Sequence, residues 1–116
     1  MISYETRLGT VELTEEFLSR LIGNEVISCF GVVGMVPSNN RQRISKVFLK
    51  NGALDTGIKV TGTSAMINVE IHIMVTYGMN INTIASSITE KVKYKVEEIT
   101  GTPVGKVIIK VDGLKV

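Results

Sequence analysis

Cys29 and His72 are the only residues of their types in a chain of 116. Together they could in principle supply nucleophilic chemistry. A thiol becomes a useful nucleophile when a nearby base helps it to the thiolate. Cys29, however, lies in the apolar stretch from Val26 to Val36, where a free cysteine packs as a small hydrophobe. His72 sits on the polar side of an alternating segment, and only Glu70 or Glu97 could orient it. The packing reading is therefore preferred, and no catalytic residue is expected. A lone His and a lone Cys lack partners at ligand spacing, so no metal site is expected either. Glu97-Glu98 reads as a solvated helix face, with Lys93 one turn before Glu97. The segment from Gly57 to Gly62 lacks the Walker lysine and serine, so it is no phosphate loop. Gly31-Val32-Val33-Gly34 matches the bare G-x-x-G of an RNA-binding KH loop. That loop normally carries a basic residue between its glycines, and with 11 glycines in the chain the match is read as chance. No cofactor and no small-molecule substrate are expected.

Charge offers a second candidate. The net charge of +2 is too small to announce a nucleic-acid binder, but its distribution is uneven. Residues 1–25 hold five acids and two bases, whereas 26–54 hold Arg41, Arg43, Lys46 and Lys50 and no acid. This basic stripe reads first as a solvated helix face. Its functional alternatives are contact with anionic lipid, nucleic acid or an acidic protein, each cation supplying about 1 kcal/mol near acidic lipid. Against nucleic acid stands a set of three Tyr, three Phe and no Trp; of these only Phe48 falls among the basic residues, and it shares the apolar spacing of Ile44 and Val47.

These residues must be positioned by a frame that the sequence states clearly. Ile67, Val69, Ile71, Ile73, Val75 and Tyr77 alternate with Asn68, Glu70, His72, Met74 and Thr76, the period of a strand with one buried face. Beyond Gly78, Ile84, Ala85, Ile88, Val92, Val96 and Ile99 recur at helical spacing. Asn82 is the expected cap of that helix. Gly101 is suited to end it, and Pro103 cannot continue it.

Earlier in the chain, Thr10 to Leu13 reads as a short strand. Thr14 then caps a helix whose first turn carries Glu15 and Glu16. Its apolar stripe is Phe17, Leu18, Leu21 and Ile22. Continuing that helix puts Glu25 near the centre of the stripe, so either the helix loosens around Gly23-Asn24 or Glu25 finds a partner. Val26 to Val36 is expected to be a short buried strand or extended segment. Pro37 to Asn40 is a loop, and Arg41 to Lys50 a short helix stopped by Asn51-Gly52. Gly57 to Thr61 forms a strand that turns through Gly62-Thr63-Ser64-Ala65 into the long strand. Val104 to Asp112 is the last strand.

The pieces make one α+β domain over residues 1–116, a two-layer sandwich in which helices pack on one face of a mixed sheet. The expected core includes Phe17, Ile71, Ile73, Ile88, Val92 and Ile109. The opposite sheet face carries Glu70, His72, Met74, Lys106, Ile108 and Lys110. It mixes polar residues with Met and Ile and is a candidate self-association face.

The hydrophobic fraction of 44% and only two prolines argue against disorder. At this length a core forms without disulfides or metals, and one cysteine makes no internal disulfide. No apolar run approaches the roughly 18 residues of a spanning helix. Met1 to Arg7 has neither a basic n-region nor an apolar h-region, so no secretory leader is expected and the default compartment is the cytoplasm.

In this frame the chain resembles the alkaline shock protein family. The resemblance is carried by Tyr77-Gly78 closing the alternating strand, Asn80-Ile81, the long helix, Thr100-Gly101 and the final valine-rich strand. Gly31-Val32-Val33-Gly34-Met35 and Gly57-Ile58-Lys59-Val60 fit the same pattern in the same order, whereas Cys29-Phe30 departs from it. The resemblance implies a bacterial general-stress or envelope-stress protein without enzymatic activity. It also implies action through protein–protein interaction, as a homo-oligomer or at the inner membrane surface through a membrane-anchored partner. A nucleic-acid-binding module using Arg41, Arg43, Lys46 and Lys50 is the alternative.

Overall fold

A computed structural model of the chain describes residues 2–35, 48–49 and 57–115. The element at its centre is the strand predicted by alternation, Met66–Thr76, 11 residues long. In chain order the elements are β1 (Ile2–Thr6), β2 (Gly9–Leu13), α1 (Glu15–Ile27), β3 (Val32–Met35), β4 (Phe48–Leu49), β5 (Ile58–Thr63), β6 (Met66–Thr76), α2 (Ile81–Thr100) and β7 (Val104–Lys115).

β6 has two edges, and both are used. β7 pairs with it in parallel from Ile67↔Val104 to Thr76↔Lys115. The other edge is shared end to end by two antiparallel partners. β5 covers it from Ile58↔Ile71 to Thr63↔Met66, and β3 from Met35↔Ile73 to Val32↔Val75. Between them the His72 N–H donates to the Gly57 carbonyl at 2.9 Å, so the backbone of β6 stays satisfied across the junction. A parallel pair needs a long crossover, and the 20-residue α2 supplies it between β6 and β7. The sheet is thus mixed, and β4 completes it beside β3.

Both helices cover one face. Ile67, Ile71, Ile73 and Val75 of β6 are fully buried against Leu18, Ile22 and Val26 of α1 and Ile84, Ile88, Val92 and Val96 of α2. Removing each such side chain from water contributes roughly 1.5–3 kcal/mol, which makes this layer the main source of stability. The caps are local. Thr14 accepts from the Phe17 N–H at 3.1 Å, and Gly101, at φ +72°, ends α2 in the left-handed conformation.

Several expectations are corrected. Phe17 is 44% exposed. The buried stripe of α1 runs through Leu18, Ser19, Ile22, Gly23 and Val26, which turns Phe17 outward. Ile109 is only partly buried, and Tyr77 and Ile99 are exposed at the ends of their elements. The cap of α2 is Asn80, whose Oδ1 accepts from the Thr83 N–H at 3.0 Å; Asn82 lies inside the first turn. α1 does not loosen at Gly23-Asn24. It runs on to Ile27, and the Glu25 carboxylate meets Lys95 Nζ of α2 at 3.7 Å. The end of the expected Arg41 to Lys50 helix is instead strand, because Phe48 and Leu49 pair with Met35 and Gly34.

β1 adds to the expected order. With β2 it forms a separate hairpin, tied to the body by buried Ile2 and by a hydrogen bond between the Tyr4 and Thr102 hydroxyls.

Candidate functional site

The face of the sheet away from the helices carries the residues with chemical potential. Register places Ile108 beside Glu70 and Lys110 beside His72, and sets Lys59 of β5 opposite Glu70. Two irregularities of the β6–β7 ladder shape this face. Near Ile67/Val69, the Asn68 Oδ1 accepts from the Lys106 N–H at 3.1 Å. Near Ile73/Met74, the pairing passes from Val111 to Gly113 and skips Asp112. Such a bulge re-aims a side chain. The Asp112 carboxylate reaches the ring of His72.

His72 is the surprise of the site. It lies on the polar side, as alternation predicts, yet its side chain is completely buried. Its Nδ1 is 2.7 Å from Asp112 Oδ2 and its Nε2 is 2.8 Å from Glu70 Oε2. Lys110 Nζ stands 3.7 Å from the other Glu70 oxygen. The hydrogen bond from His72 holds the Glu70 carboxyl below its ordinary value of 4.5, helped by the charges of Lys110, His72 and Lys59 and opposed by partial burial.

Of the expected face, Lys106, Ile108 and Lys110 are exposed, Glu70 and Met74 half-buried, and His72 buried. Asp112 was missed, although it is the nearest acid to the ring. Its place on a strand was legible; the register that sets it against the ring was not. Arg41, Arg43, Lys46 and Lys50 lie outside the described residues. The pairing of Cys29 with His72 does not form. Cys29 is buried in the helix-side core, its Sγ 3.4 Å from the Glu25 carbonyl, on the other side of the sheet from the ring. Glu97 is not merely solvated, because its Oε2 accepts from the Val104 N–H at 2.9 Å and ties the end of α2 to the start of β7. Gly31-Val32-Val33-Gly34 is no open loop either, since Val32 onward is strand β3. Among the described residues, no cluster of three or more His, Cys, Asp or Glu side chains is arranged to hold a metal ion.

A two-helix layer over a mixed sheet, with an outer face of alternating charge, defines a small α+β module. The chain belongs to the alkaline shock protein 23 family, a family with a cell envelope-related function, whose profile matches residues 3–116. It is similar to the uncharacterized protein YloU of Bacillus subtilis (strain 168), at 29% identity over 115 residues, 99% of this chain and 96% of that protein. It is also similar to the uncharacterized protein Spy1614 of Streptococcus pyogenes serotype M6, at 26% identity over 115 residues, 99% and 95% of the two chains. No solved structure matches the chain significantly.

Proposed function

We propose that this protein serves the envelope stress response without catalysis, by binding other proteins, copies of itself among them, through the outer face of its sheet. One observation carries the reading. Ile108 stands 45% exposed on that face, beside a shallow depression of about 190 Å³ lined by Lys59, Thr61, Asn68, Val69, Glu70 and Ile108. An apolar side chain on a rigid strand gains from being covered. A second copy suits the face because a two-fold axis sets the same patch against itself, and a patch of both signs can pair there without like meeting like. The non-enzymatic part of the reading is supported by the separation of Cys29 from His72 and by the engagement of both ring nitrogens. Among the described residues no helix is long and apolar enough to cross a membrane. In this reading a membrane-anchored partner holds the protein at the inner face.

Sedimentation velocity across the micromolar range tests the self-association. Wild type is expected to sediment as a dimer or larger species, and Ile108→Glu or Met74→Lys as a monomer. Wild type that stays monomeric at the highest concentration, or variants that associate as wild type does, would overturn the proposed face.

A further inference from the structure

The contacts of His72 contain a proton count. An ionised carboxylate only accepts hydrogen bonds, and a neutral imidazole donates from one nitrogen alone. Here both ring nitrogens lie within 2.8 Å of carboxylate oxygens. A neutral ring between two ionised carboxylates would press a nitrogen lone pair against an oxygen lone pair. One further proton therefore belongs to the cluster, and the simplest place for it is the ring, which then donates to both acids. The charges close as well: Glu70 and Asp112 are balanced by protonated His72 and Lys110, whose Nζ is 3.7 Å from Glu70 Oε1.

We propose that Glu70, His72 and Asp112 form a one-proton switch that sets how firmly the end of β7 is held to β6. Glu70 lies on the same strand as His72, whereas Asp112 comes from β7, so of the ring's two contacts the one with Asp112 crosses between strands, beyond the Lys110–Glu70 pair that also crosses. The ring is completely buried, and the Glu70 and Asp112 side chains are 31% and 16% exposed. When rising pH removes the proton, the ring keeps one N–H. Glu70 is the partner that lets go, because it is the more exposed and has Lys110 to turn to. The Nδ1–H then still donates to the Asp112 carboxylate, but the ring no longer carries the positive charge that attracted it. The strands lose grip beyond the bulge, where Gly113 to Lys115 pair with Met74 to Thr76. The outer face also gains one negative charge.

Among the described residues, the other groups around the ring do not supply that proton. β5 contributes Lys59, which acts on Glu70, and the Gly57 carbonyl, which is already taken by the His72 backbone N–H. β7 contributes Lys110 and Asp112. Among the described residues β3 contributes no charged group, and both helices lie on the opposite face.

His72 is the chain's single histidine, so its ring can be followed without ambiguity by nitrogen NMR. Wild type is expected to show both nitrogens protonated at the acid end of the folded range and Nδ1 alone protonated at the alkaline end. Across that step, amide protection at Gly113 to Lys115, corrected for intrinsic exchange, is expected to fall about tenfold as the charge that attracts the Asp112 carboxylate is lost. Core amides around Ile88 should not follow. The fall should be absent in His72→Gln. It should also be absent in Glu70→Gln, where the amide NH₂ can donate to an unprotonated Nε2, and this variant carries the test if His72→Gln does not fold. A ring that is neutral throughout the folded range overturns the proposal, as does a fall in protection that persists in the folded variants.

Discussion

Truncation of Ile88 to Ala tests the helix face on which the architecture depends. Ile88 is completely buried, on the α2 stripe that covers Ile71 and Ile73. The change removes the equivalent of about three methylene groups, worth roughly 0.8 kcal/mol each in transfer alone. The cavity left between helix and sheet adds to this, and buried large-to-small changes cost about 2–5 kcal/mol in all. A domain of this size has roughly 5–15 kcal/mol of stability to lose. Urea unfolding followed by circular dichroism at neutral pH should therefore show a clear drop in midpoint at unchanged slope. Phe17→Ala is the control. The side chain is larger, but 44% of the residue is already exposed, so its loss should cost clearly less. If Ile88→Ala unfolds with wild type, or if Phe17→Ala costs more, the assignment of the two helix faces is wrong.

Gly62 and Gly78 separate steric clash from backbone strain. Both have positive φ, +126° and +89°, but a Cβ on Gly62 would collide with the Met66 carbonyl, whereas one on Gly78 meets nothing within 4 Å. Gly62→Ala should lower the melting temperature more than Gly78→Ala, for which the strained backbone alone costs about 1–3 kcal/mol; equal losses would refute the hairpin geometry. Glu70 predicts the acid limb of stability. Its folded value lies below the ordinary 4.5, so its contribution is present above that value and is lost as pH falls through the lowered one. Glu70→Gln should flatten the decline in urea midpoint over that window, and an unchanged slope would show that the contact with His72 adds nothing.

Local chemistry made much of this protein legible before any fold was known. The alternation from Ile67 to Val75 specified a strand with a buried face, because side chains on a strand point to opposite sides with period two. Thr14 and Gly101 marked helix ends because caps act on backbone groups within one turn. What the sequence alone left open were meetings between distant residues. Glu25 stood as an unexplained acid in an apolar stripe until packing of α1 on α2 brought Lys95 within 3.7 Å. The outward turn of Phe17 was set by which side of α1 meets the rest of the core, a choice its local spacing did not make. Above all, His72 read as a residue on a polar strand face. Its burial between two carboxylates depends on a parallel partner that returns only after a 20-residue helix and on the register that sets Asp112, 40 positions away, against the ring. Periodicity records which way a side chain points; the register and irregularities of pairing decide what it finds there.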